Sequence, residues 1–184
     1  YYDLLTATEH QITADGKRNQ IINGAADWVY EEEFALSRAL WWSPDSKYLA
    51  YLRFDETLVS EYSMMYYDST LYPQVYSYKY PKAGEVNSVV SLHVFDLGRE
   101  KTVTVDTGKE TDQYIPRVLW SPSGALCYLR ENRLQNHLEI LEANPVTGVS
   151  RLVLEEKNAC YIEEPTDWYI TFLGDGKRFI IPSE

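Results

Sequence analysis

Trp42-Ser43-Pro44-Asp45-Ser46-Lys47-Tyr48-Leu49-Ala50-Tyr51 recurs later in the chain as Trp120-Ser121-Pro122-Ser123-Gly124-Ala125-Leu126-Cys127-Tyr128-Leu129. A looser third copy runs Phe172-Leu173-Gly174-Asp175-Gly176-Lys177-Arg178-Phe179-Ile180-Ile181. Each phrase reads as a strand ending on an aromatic, a tight turn and a second strand. Proline presets φ at the first corner of such a turn, and Asp, Ser or Gly tolerate the next ones. Short alternating runs follow: 89–96 and 102–105 after the first copy, 138–141 and 151–154 after the second. Four short strands per repeat is the pattern of a propeller blade. Trp120 to Phe172 spans 52 positions, close to a long blade repeat of roughly 50. Trp42 to Trp120 spans 78, which leaves room for one inserted hairpin.

The expected fold is therefore all-β, a segment of a β-propeller with four-stranded antiparallel blades. Residues 1–184 read as part of one such domain. About 1–20 ends one blade, with strands at 1–5 and 11–13; 39–105 forms a blade carrying an inserted arm at 58–80; 115–154 forms another; and 168–184 starts the next. Closure takes about four to eight blades, so two complete blades imply a piece of a larger propeller. A small independent β-sandwich with chance self-similarity is the competing architecture. The insertion is rich in tyrosine, with Tyr62, Tyr66, Tyr67, Tyr72, Tyr76, Tyr78 and Tyr80. Alternation over Tyr76-Ser77-Tyr78-Lys79-Tyr80 predicts an extended ribbon with one aromatic face. Such a ribbon either enters a protein interface, where Tyr is enriched, or folds back over its own blade.

The chain has 184 residues, 45% of them hydrophobic, 24% charged, and a net charge of −11. This is ample core material and argues against disorder. The acidic balance argues against a nucleic-acid partner, which would need clustered Lys and Arg. No apolar run approaches the ~20 residues of a membrane span, and no secretory signal pattern occurs. Cys127 and Cys160 stand 33 positions apart, and His10, His93 and His137 are scattered. These give no metal-ligand spacing, so no metal and no cofactor are expected.

One stretch stands out chemically: Asp27-Trp28-Val29-Tyr30-Glu31-Glu32-Glu33. Three consecutive carboxylates repel one another and resist burial, yet they lie between Trp28 and Trp41-Trp42. Neighbouring residues on a strand point to opposite faces, so adjacent carboxylates converge only on a turn or short helix. Phe34-Ala35-Leu36-Ser37 could continue such a turn. The stretch is either a cation-binding cluster or a set of helix-start acids favoured by the helix dipole.

With repeat and cluster together, the sequence resembles the propeller domain of the dipeptidyl peptidase IV family. The matching residues are Asn23-Gly24, Asp27-Trp28-Val29-Tyr30-Glu31-Glu32-Glu33, Ala39-Leu40-Trp41-Trp42-Ser43-Pro44, Leu49-Ala50-Tyr51, Glu61-Tyr62-Ser63, Tyr72-Pro73 and Tyr80-Pro81-Lys82-Ala83-Gly84. Beyond residue 100 the likeness is mainly the blade pattern. The resemblance implies an eight-bladed propeller capping an α/β-hydrolase domain, in a serine exopeptidase that removes N-terminal dipeptides after Pro or Ala. It implies that Glu32 and Glu33 bind the free N-terminal ammonium of a peptide substrate, with Asp27, Trp28, Tyr30 and Glu31 supporting them. It also implies an arm, here about 58–80 and carrying Tyr62, Tyr66, Tyr67, Tyr72, Tyr76 and Tyr78, that builds a homodimer.

No Gly-x-Ser-x-Gly elbow occurs in the chain, so there is no catalytic residue to assign within it. The family's Ser, Asp and His belong to the hydrolase domain, and the segment alone is expected to be inactive. A non-catalytic family member and an interaction-only propeller are the alternative readings. The absence of Asn-x-Ser/Thr and the two cysteines suit an exported bacterial protein, periplasmic or at the cell surface.

Overall fold

The computed structural model describes residues 1–182, and the last two positions of the expected 168–184 segment lie outside the described residues. The repeated phrases become equivalent turns. In the first, Ser46 N donates to Ser43 O at 2.9 Å; in the second, Gly124 N donates to Ser121 O at 2.9 Å; in the third, Gly176 N donates to Leu173 O at 2.9 Å. The closing residue is left-handed each time, with φ of 58° at Ser46, 87° at Gly124 and 63° at Gly176. Glycine takes that conformation without steric cost. The first two turns are also braced alike: Ser43 Oγ bonds Asp45 and the amide of Tyr48, and Ser121 Oγ bonds Ser123 and the amide of Ala125.

In chain order, β1 (Tyr2–Asp3) and β2 (Thr8–Glu9) form a first hairpin. It closes earlier than the expected 11–13 because Asp3 accepts from the amides of Leu5 and Thr6 and tightens the turn. Next come β3 (Ile21–Asn23), α1 (Trp28–Glu33), β4 (Leu40–Trp42) and β5 (Tyr48–Asp55). A ribbon of β6 (Glu61–Tyr66) and β7 (Gln74–Lys79) follows, then β8 (Val89–Asp96) and β9 (Lys101–Thr104). The second sheet holds β10 (Gln113–Tyr114), β11 (Val118–Trp120), β12 (Leu126–Asn132), β13 (His137–Ala143) and β14 (Ser150–Lys157). β15 (Thr171–Phe172) and β16 (Phe179–Ile180) make the last hairpin.

Both large sheets are antiparallel meanders whose first strand is split. β3 pairs with Arg53–Asp55 of β5, and β4 pairs with 49–51 of the same strand. β10 and β11 share β12 in the same way. Each sheet therefore has a four-stranded outline with an interruption in strand one. In the first sheet that interruption is the excursion 24–39, and α1 rides on it.

Strand faces alternate, so each sheet buries both sides. Ala50, Leu52 and Phe54 of β5 join Leu126 and Tyr128 of β12 in the main core between the sheets. Leu49 and Tyr51 face the other way, toward Tyr1 and Ile12. Leu129 and Ile140 pack on Tyr169, Ile170 and the last hairpin. The result is a serial stack of sheets, as expected for a propeller segment. Trp120 Nε1 donates to Trp41 O at 3.0 Å, and its ring stacks on Tyr48 at 6.2 Å, so the repeated phrases bond to each other across the stack.

Candidate functional site

The acidic stretch forms a short helix because its first residue is a good cap. Asp27 Oδ1 accepts from the Tyr30 amide at 3.0 Å, and its other oxygen accepts from Ser88 Oγ at 2.6 Å. Burial raises the Asp27 pKa, and these two bonds oppose the shift. Tyr30 ties the helix to the second sheet. Its ring packs on Phe34, Phe54 and Tyr114, and its hydroxyl accepts from the Ile115 amide at 2.8 Å. That amide lies where the second sheet's first strand is interrupted. Trp28 packs on Tyr80, with ring centres 4.2 Å apart.

The helix ends at Glu33, and 34–37 does not continue the turn. Phe34 and Leu36 are both buried, whereas helical positions two apart point about 200° away from each other. The amides of Phe34 and Leu36 both donate to Tyr30 O, and Ala35 takes φ of 50° as the chain leaves the helix.

Glu31, Glu32 and Glu33 are all exposed, and successive helical side chains diverge by about 100°. Glu33 lines a cleft of about 780 Å³, together with Trp28, Val29 and Phe34. Glu31 and Glu32 lie outside that lining, so the helix presents one of the expected pair directly to the cleft. Tyr62, Met64, Tyr78 and Tyr80 form another wall, because the ribbon's aromatic face turns inward. Tyr62 and Tyr78 are directly paired across the ribbon, with rings 6.2 Å apart. Tyr62 and Met64 keep part of their surface open, and Tyr66, Tyr67, Tyr72 and Tyr76 are more exposed still.

Tyr114, Arg133, Gln135, Tyr161 and Glu164 complete the cleft from the second sheet and the segment after it. None of these was singled out from the sequence. The one available signal was a second acidic doublet after an aromatic, Tyr161-Ile162-Glu163-Glu164. Burial raises the Glu164 pKa, Arg117 opposes this, and the charge of Glu33 raises it further. Arg133 donates to Glu85 O at 3.0 Å, reaches Asp112 at 3.4 Å and lies over the Tyr114 ring. Away from the cleft, His137, Glu139 and Glu155 bring ligand atoms within 4.8 Å of one another. Both carboxylates there already hold cations, Arg130 on Glu139 and Lys157 on Glu155.

A stack of split-strand antiparallel sheets, with an acidic helix leaning over an aromatic cleft, defines a β-propeller segment. The family model for the dipeptidyl peptidase IV N-terminal region matches residues 1–184, and the chain belongs to that family. It is 34% identical over 192 residues to dipeptidyl peptidase 4 of Trichophyton tonsurans, covering 95% of this chain and 24% of that protein. It is 37% identical over 133 residues to prolyl endopeptidase FAP of Bos taurus, covering 68% of this chain and 18% of that protein. The crystal structure of Porphyromonas gingivalis dipeptidyl peptidase 4 superposes with a TM-score of 0.87 at 40% identity, over 92% of this chain and 24% of that one. The chain thus spans about a fifth to a quarter of the length of these relatives. Among the described residues no helix is long and apolar enough to cross a membrane.

Proposed function

We propose that this chain is the substrate-recognition part of a dipeptidyl peptidase IV-like serine exopeptidase that releases N-terminal dipeptides after Pro or Ala. In this reading Glu32 and Glu33 bind the substrate's free ammonium group, and an α/β-hydrolase domain of the full protein supplies the catalytic Ser, Asp and His. The observation that carries the reading is the placement of Glu33, on the wall of an aromatic cleft, on a helix braced to both sheets. A carboxylate so held attracts an alkylammonium, which brings several donors and relieves the repulsion among its acidic neighbours. Because the amine is held at a fixed point, only one peptide carbonyl can reach a nucleophile at a fixed distance. This accounts for cleavage after the second residue. An N-acylated peptide offers no cation and is rejected.

The test uses the full-length protein with Gly-Pro chromogenic substrates. Each charge-assisted contact is worth about 1.5–3 kcal/mol, so Glu33→Gln should lower kcat/KM about 10- to 150-fold. Glu32→Gln should lower it less, since Glu32 lies outside the cleft lining. Undiminished turnover in the double variant refutes the amine clamp and favours an interaction-only propeller. The exposed apolar side chains at the ribbon's far end, among them Met65, Tyr67 and Leu71, support a homodimer built there, which sedimentation of a Tyr67→Glu, Leu71→Glu variant would test. The lack of Asn-x-Ser/Thr sites and the two cysteines support an exported location in a bacterium, periplasmic or at the cell surface, which cell fractionation would test.

A further inference from the structure

Glu131 is an anomaly. It sits on β12 with no exposed surface, and neither carboxylate oxygen has a hydrogen-bond partner. Gln135 comes near enough to stabilise its charge without completing a bond. A buried carboxylate left this way costs several kcal/mol if charged, and such groups call for an explanation. Its place points to one, because it pairs directly across the sheet with Tyr114, which lines the cleft together with Tyr161 and Glu164, and the charge of Glu164 acts on it. Glu33 in turn acts on Glu164. Glu33 and the half-buried Glu164 thus line one cleft, and Glu131 lies on the sheet face that it shares with its cross-strand partner Tyr114.

Lys82 lines the cleft from the segment after the ribbon, Arg117 acts on Glu164, and the two arginines nearest the second-sheet wall also hold other partners. Arg117 pairs with Asp167 at 3.1 Å, and Arg133 is held by Asp112 and Glu85 O. Burial moves the Glu131 carboxyl up to about 7, with Glu164 adding to the shift. An arriving positive charge would therefore draw it into the ionised state near neutral pH. The walls beside these carboxylates are aromatic, which suits an organic cation with an apolar stem better than a bare metal ion.

We propose that Glu164, backed from beneath by Glu131, forms a subsite for a cationic side chain, the Lys or Arg of a peptide's N-terminal residue, beside the ammonium held at Glu33. The inference rests on the amine-clamp reading and adds a preference within it. Glu164 makes the contact, and Glu131 supplies negative potential from inside the sheet.

Calorimetric affinities of the full-length protein for the dipeptides Lys-Pro and norleucine-Pro isolate the side-chain charge, because the two differ little in shape. The expected result is about tenfold tighter binding of Lys-Pro, equivalent to about 1.4 kcal/mol. Glu164→Gln should bring the ratio close to one, and Glu131→Gln should lower it by a smaller factor. Near-equal affinities in the parent protein, or a ratio unchanged in Glu164→Gln, overturn the proposal. Glu33→Gln separates the two readings. If it weakens both dipeptides while Glu164→Gln leaves the ratio intact, the clamp stands and the subsite falls. If Glu33→Gln weakens neither, the clamp itself has failed and the subsite falls with it.

Discussion

Replacing Asp27 should loosen the acidic helix without touching a carboxylate of the cleft. Asp27→Ala removes the cap bond to the Tyr30 amide, worth about 1 kcal/mol, and the charge-assisted bond from Ser88, worth about 1.5–3 kcal/mol. One effect runs the other way. Asp27 repels the buried Glu56 and raises its pKa after burial itself, so removing it relieves part of the loss. A net cost of about 2–3 kcal/mol is expected, and neighbouring terms of this kind do not add cleanly. Asp27→Asn keeps the geometry: its oxygen still caps the Tyr30 amide, while its NH2 can donate to the Ser88 hydroxyl. That change should cost less than about 1 kcal/mol. Hydrogen exchange of the full-length protein reads the difference locally. Amides of Tyr30, Phe34 and Leu36 should exchange about 30- to 150-fold faster in Asp27→Ala, in line with the free-energy loss, and hardly faster in Asp27→Asn. Turnover of Gly-Pro substrates should fall in the same order. Unchanged exchange in Asp27→Ala would refute the bracing role. An Asn variant as damaged as the Ala variant would show that the charge, not the hydrogen bonds, holds the helix.

Other consequences can be checked in the same protein. Tyr30→Phe leaves the buried Ile115 amide without its acceptor, and should cost about 1–3 kcal/mol, read as a lower Tm with faster exchange at 113–118. The Glu131 carboxyl binds its proton more tightly in the folded state, at about 7 against 4.5. Its contribution therefore favours folding below pH 4.5 and is lost as pH rises through about 7. The loss is at most about 3 kcal/mol by linkage. Glu131→Gln should be the more stable protein at pH 8 and lose that advantage by pH 4; a Tm difference independent of pH would contradict this. Cys160 is exposed, while Cys127 is buried with its thiol pushed up to about 12. A thiol reagent should label Cys160 in the native state and reach Cys127 only on unfolding, and equal labelling rates would count against the packing of β12.

Much of the fold is written in local chemistry. The turn in Ser43-Pro44-Asp45-Ser46 depends on residues adjacent in the chain, so it can be recognised wherever it recurs, and the aromatic strand ends beside it mark the blades. A turn or short helix at the acidic stretch was likewise legible, because adjacent carboxylates converge only on such a backbone, but its cap at Asp27 and its span 28–33 were not. The helix stops at Glu33 because Phe34 and Leu36 are both drawn into a core whose other half lies some sixty to ninety residues away, and no local pattern carries that pull.

The cleft divides in the same way. Glu33 could be named in advance, since its doublet and its resemblance to the dipeptidyl peptidase IV family are properties of one short stretch. That Glu33 rather than Glu32 meets the cleft is a matter of helix rotation, set by Tyr30 docking on Ile115. Tyr62 and Tyr78 read as parts of an inserted arm, and the ribbon's register also puts this pair on a wall of the cleft. Glu164 and Glu131 were invisible, because a glutamate on a strand or loop looks ordinary until the fold removes its water and its partners. The chain by itself specified the repeat, the turns and an acidic turn or short helix. Only the packing of one sheet on the next decided which carboxylates share a cleft, because burial and proximity are properties of the assembled stack.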